Sequence, residues 1–235
     1  MHLINTFTSA LVVALSATSV AAGTIAHDKV KGYPEKVPDK YGNLYKKYKP
    51  FLEVVTGCVP FPAVQDDGGV SGGLKNSGAM NGHCSKSDGQ VYVRGKSVSK
   101  DLFGIMYAWY MPKDQNVDGP GNLGHRHEWE NIIVWLAGDK EDSAYKGVSY
   151  SGHGGYSFEK DKKYLDGSRP KIMYLTKGKN HELSVGTKKG GDQPMIAWES
   201  MSDAARKSLN EFDFGKANCA INDKNFQGNL DKAKP

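Results

Sequence analysis

The chain has 235 residues, 38% of them apolar and 10% aromatic, which is enough for one sizeable core and unlike the composition of a disordered chain. Its formal charge of +5 is too mild to point to nucleic acid; it suits contact with an anionic surface, although many exported proteins are as basic without such a partner. Beyond the N-terminus no stretch reaches the ~18 apolar residues of a membrane-spanning helix.

Residues 1–22 contain no Lys, Arg, Asp or Glu and end in Val20-Ala21-Ala22, the small-residue pattern of a signal-peptidase site. They read as a secretory signal, so the expected location is extracellular. Residues 23–38, polar and proline-bearing, read as an arm over the surface of a single domain, 39–235. Asp39 is placed to cap a short helix running to Lys49, with Tyr41, Leu44, Tyr45 and Tyr48 spaced to face a core. Export permits disulfides, and pairing Cys58 with Cys84 would close a loop of about 27 residues for about 3 kcal/mol. Cys219 is an alternative partner for either.

Glycines dominate from Gly68 to Gly89, which predicts an irregular excursion. Gln90–Arg94 alternates as a strand does, and Leu102–Met111 reads as a strand buried on both faces and ended by Pro112. A loop, Lys113–Gly124, leads into a second long strand reaching Leu136. Gly147–Gly152, Lys171–Thr176 and Pro194–Trp198 are shorter strands, with a basic loop from Lys177 to Gly191 carrying His181 and Glu182. Ser202 caps a helix, Asp203–Phe212, and a polar tail follows Asn222. Many short strands with few helices predict a mostly β protein, a β-sandwich with peripheral helices.

The chemistry concentrates in Gly124-His125-Arg126-His127-Glu128-Trp129-Glu130, directly before an apolar run. A period of two puts Glu128 and Glu130 on one face, about 6–7 Å apart, and His127 and Trp129 on the other. Two carboxylates that close repel unless one is protonated or a cation lies between them. A bound cation resolves this, with Asp114, Asp118 and His125 as the nearest additional ligands. Such oxygen-rich ligands suit Mg²⁺ or Ca²⁺, and the imidazole also admits Zn²⁺ or Mn²⁺. The plainer alternative is that Arg126 pairs with Glu128 or Glu130 and nothing is bound. Hydrolysis by the two glutamates or by a metal-bound water is a further reading, without a helical His-Glu-x-x-His or a Gly-x-Ser-x-Gly in its support.

The heptapeptide resembles the signature of the necrosis and ethylene-inducing peptide 1-like proteins, usually Gly-His-Arg-His-Asp-Trp-Glu. Gly104–Asp114 is similar to that family's second block, and His181-Glu182-Leu183, Lys189–Pro194 and Asn222–Phe226 match further along. The resemblance implies a single-domain β-sandwich like actinoporins and fungal lectins. It implies a secreted, non-enzymatic cytolysin and virulence factor that binds glycosylinositol phosphorylceramide headgroups of plant plasma membranes and permeabilises them. By motif match its divalent-cation ligands fall on Asp114, His125, Glu128, Glu130 and His181. Arg126, His127 and Asp118 would support the site or the headgroup, and Lys177 and Lys179 would face the membrane. Cys58 pairs with Cys84 in the family's two-cysteine type, and Gly104-Ile105-Met106-Tyr107 belongs to a fragment detected by plant immune receptors. The expected state is a monomer, and the alternative from another class is a non-lytic, lectin-like or immune-eliciting homologue.

Three positions depart from the family pattern. Glu128 stands where aspartate is usual, the loop before His125 is about three residues longer, and Lys177-Gly178-Lys179 occupies a stretch that often carries tryptophan.

Overall fold

The computed structural model describes residues 23–120, 124–178 and 180–235, so the signal segment and Lys179 lie outside the described residues. In chain order the elements are β1 (Thr24–Ile25), α1 (Gly42–Lys47), β2 (Phe51–Val54), β3 (Val70–Ser71), β4 (Val91–Ser99), β5 (Leu102–Asp114) and β6 (His125–Leu136). They continue with β7 (Tyr145–Gly152), β8 (Gly155–Glu159), β9 (Leu165–Asp166), β10 (Arg169–Lys177), β11 (Asn180–Val185), β12 (Met195–Ala197), α2 (Asp203–Glu211) and α3 (Phe226–Ala233).

The protein is a mostly β sandwich. Six strands form one sheet in the order β12-β4-β5-β6-β7-β8, and β11-β10-β2 form the second, with β9 pairing β10. Within these two sheets all neighbours are antiparallel except β12 with β4 and β10 with β2, and β1 and β3 form a separate parallel pair. The large sheet is the middle layer. Tyr107 on one of its faces donates to the Tyr45 carbonyl, while on the other Trp129 packs edge-on to Phe214 and Gly104 lies against Leu230 of α3. That explains why β5 and β6 read as apolar on both faces: Phe103 and Ile105–Met111 are buried, as are Ile132–Leu136.

Several boundaries differ from the sequence reading. Pro112 does not end β5, because the ladder has its irregularity between Met111 and Lys113, where the absent N–H costs no cross-strand bond. The first helix begins after Tyr41, in a left-handed conformation with φ 69°, and is not capped by Asp39. His181 and Glu182 lie on β11, a strand of the second sheet, and not in a loop. Part of the polar tail forms α3, which buries Phe226, Leu230 and Ala233. Ser202 does cap α2, accepting from the Ala205 N–H.

Cys58 and Cys84 form a disulfide, and Cys219 is a buried free thiol. The fully buried Lys113 ammonium ties down the same glycine-rich excursion, donating to the carbonyls of Ser77 and Ala79 and to Gln115. The arm is pinned to the body: the Gly72 N–H donates to the Ile25 carbonyl, and that of Lys36 to Met195.

Candidate metal centre

Period two alone would put His125 and Glu128, three residues apart, on opposite faces of β6. A bulge removes the conflict. Lys113 of β5 opposes both Arg126 and His127, and His127 has φ 63°. The extra residue returns His125 to the face of Glu128 and sets it opposite Asp114, its register partner. One ligand atom each from Asp114, His125 and Glu128 then lies within 4.8 Å of the others.

The donors of this group are arranged for a positive charge. His125 Nδ1 donates to the His127 carbonyl at 2.8 Å, which leaves Nε2 as a bare lone pair. That nitrogen lies 3.4 Å from Glu128 Oε2 and 3.8 Å from Asp114 Oδ2. Burial, then the Asp114 charge, pushes the Glu128 carboxyl up to about 8, against a backbone bond from Trp129 that lowers it. Glu130 is raised well above the carboxylate range by burial and by Glu128, although Ser151 donates to it. Tyr174 adds a buried hydroxyl, without a hydrogen-bond partner among the described residues, in the field of Glu128, Asp114 and Glu130. Carboxyls that hold protons at neutral pH, beside an oriented imidazole lone pair, fit a divalent cation that would take the protons' place.

His181 occupies a different position from the other four. Its ring is buried, stacked on Tyr174 at 4.8 Å, and its Nδ1 donates to Asp114 Oδ1. Because a carboxylate only accepts, Nε2 is left to accept from Thr176 Oγ1 at 3.1 Å, and that hydroxyl pairs with Thr56 at 2.9 Å. Both ring nitrogens are engaged, so His181 fixes the rotamer of Asp114 from behind.

The remaining predicted residues are placed apart from the carboxylates. Arg126 turns outward and donates to the Gly72 carbonyl, so it pairs with neither glutamate. His127 is buried beside Phe212 and Phe214 with Nδ1 on the Tyr110 hydroxyl; burial, then Arg126, lowers it to about 4. Asp118 accepts from the Met80 N–H. Lys177 is exposed but pairs with Glu182 at 2.8 Å, as does His153. Ser151 and Tyr174 carry no signal in the sequence, and Glu182 is noted there without a role, since only the pairing of β10 with β11 and of β7 with β6 brings them to the site.

The carboxylates open into a cleft of about 520 Å³, whose far side is formed by the chain around Lys216 and by α3. The two-sheet β-sandwich thus carries an acid-and-imidazole cluster at its rim. The sequence matches the necrosis inducing protein (NPP1) family over residues 42–233. It is 42% identical to NLP effector protein 2 of Phytophthora capsici over 223 residues, covering 90% of this chain and 87% of that one. The structure superposes on NLPPya in complex with mannosamine with a TM-score of 0.83 at 42% identity, covering 89% of this chain and 98% of that one. On the non-toxic HaNLP3 the values are 0.82 and 39%, covering 89% and 99%. The chain belongs to the necrosis-inducing protein family.

Proposed function

We propose that this protein is a secreted cytolytic virulence factor that binds glycosylinositol phosphorylceramide headgroups of plant plasma membranes at the rim cleft and permeabilises the membrane, causing plant cell necrosis and ethylene induction. The observation that carries the reading is the convergence of Asp114, His125 and Glu128 within 4.8 Å at the mouth of a cleft. Mg²⁺ or Ca²⁺ bound there would supply a Lewis-acidic point able to chelate sugar hydroxyls. Asp114, His125 and Glu128 would hold it, Glu130 would complete the negative charge from behind, and His181 would keep Asp114 aimed. The cleft acts by binding, and no catalytic residue is assigned. The complex of the 42%-identical NLPPya with an amino sugar supports a glycan as the ligand.

The Gly-Ile-Met-Tyr block lies inside β5, where Ile105, Met106 and Tyr107 are fully buried. A plant receptor that reads this block therefore meets it only after the protein has been unfolded or cleaved.

The test is release of a trapped dye from vesicles containing plant sphingolipids, with and without chelator. Leakage that chelator stops is the expected result. Binding without leakage would favour the non-lytic reading, which the fold shared with the non-toxic HaNLP3 also supports.

A further inference from the structure

His181 is sealed in, and the groups that seal it decide where its proton sits. Its side chain is fully buried, with Nδ1 on Asp114, Nε2 3.1 Å from Thr176 Oγ1 and one ring face on Tyr174. Gly57, with φ 82°, stands against the other nitrogen: a Cβ there would lie 2.7 Å from Nε2. The Gly57 backbone therefore covers Nε2, and only glycine permits that approach. β2 supplies this cover. Its parallel pairing with β10 ends with Val54 opposite Tyr174, and the Val55 N–H still donates to the Tyr174 carbonyl, so the chain delivers Thr56 beside Thr176. The disulfide at Cys58 fastens the turn directly after Gly57.

The protons along this line of bonds have one consistent order. Thr56 Oγ1 accepts from the Thr176 N–H at 2.7 Å. Among the described residues, the acceptor for its own hydroxyl proton is Thr176 Oγ1 at 2.9 Å. Thr176, already accepting from Thr56, gives its hydroxyl proton to His181 Nε2. That nitrogen then carries the lone pair, and the ring N–H is on Nδ1, aimed at Asp114 Oδ1. The reverse order would leave the Thr56 proton without an acceptor and turn a bare ring nitrogen towards a carboxyl oxygen.

We propose that Thr56 and Thr176 are positioning residues of the cation site: they lock His181 in its Nδ1–H tautomer, so that it serves as the donor that aims Asp114 and not as a ligand. This rests on the reading of the rim cluster as a cation site. It adds two hydroxyls that lie outside every sequence block used to recognise that site.

The experiment records the ring nitrogen-15 NMR signals of His181 at one pH, before and after Mg²⁺ is added, and reads Mg²⁺ affinity by calorimetric titration. The wild type is expected to show the Nδ1–H tautomer in both states. Thr176→Val keeps the branched shape and removes the donor to Nε2; it should mix the two tautomers and weaken Mg²⁺ about tenfold. Thr56→Val should move both readouts the same way, and Thr176→Ser and Thr56→Ser, which restore the hydroxyls, should recover both. A purely structural role would lower the melting temperature of the valine variants and leave the tautomer unmixed. An unmixed tautomer or an unchanged Mg²⁺ affinity in folded Thr176→Val overturns the lock but leaves the cation site standing. If the valine variants do not fold, the wild-type spectrum decides: Nδ1–H with and without Mg²⁺ supports the lock, and a ring protonated on Nε2, or an Nδ1 that loses its proton when Mg²⁺ is added, overturns it. No Mg²⁺ binding by the wild type overturns the cation reading and the positioning role together.

Discussion

Cation binding at this cleft should depend steeply on pH, because the proton on Glu128 and the metal compete for one position. With Glu128 held at about 8, half of it is ionised at that pH, and at about pH 6 only about one molecule in a hundred is. The sign follows directly: affinity rises as pH rises and levels off above the raised pKa, since the metal takes the deprotonated form. For one displaced proton the apparent dissociation constant for Mg²⁺ should weaken about 50-fold from about pH 8 to about pH 6. Glu130, held higher still by burial and by Glu128, makes the dependence steeper. Calorimetric titration with Mg²⁺ in two buffers of different ionisation enthalpy reads the affinity and the protons released together. Glu128→Gln should release fewer protons and flatten the profile. An affinity unchanged across this range, with no proton release, would refute the competition.

Removing the brace on Asp114 by His181→Ala should weaken Mg²⁺ about 10- to 100-fold while the far-UV circular dichroism stays that of the wild type; an unchanged affinity would contradict the bracing role. Gly124 has φ 102°, and a Cβ there would sit 2.1 Å from the Asp114 carbonyl oxygen. Gly124→Ala should therefore cost at least about 2 kcal/mol in denaturant unfolding and abolish Mg²⁺ binding, and a wild-type midpoint would show the close approach to be wrong. Reducing Cys58–Cys84, 26 residues apart, should lower unfolding stability by about 3 kcal/mol, read from the denaturant midpoint with and without reductant. No shift on reduction would mean that the loop is held by Lys113 and its acceptors instead.

The local patterns were legible where one short stretch carries the whole signal. The period of two along Ile132–Leu136, the serine before α2 and the crowding of acids and histidines before a buried strand each depend on neighbours in sequence. What was hidden depends on partners far along the chain. The face of His125 is set by a bulge in which one residue of β5 opposes two of β6, and nothing in a run of side chains announces a left-handed His127. The family match proposed His181 as a ligand, but its surroundings come from Thr56, Thr176 and Tyr174, which reach it only when β10 pairs with β11 on one side and with β2 on the other. The counter-ions of the basic run after Lys177 were equally hidden: Lys177 meets Glu182, Lys188 meets Glu53 and Lys189 meets Asp166 only through the fold.

The central claim is that a cation held at Asp114, His125 and Glu128 licenses membrane attack. Dye release from vesicles made with plant glycosylinositol phosphorylceramides tests it most directly, for wild type and Glu130→Ala, with divalent cation and with chelator. Leakage by the wild type in cation alone, lost in chelator and in the variant, is the predicted result. Leakage that persists in chelator or in the variant would contradict the account.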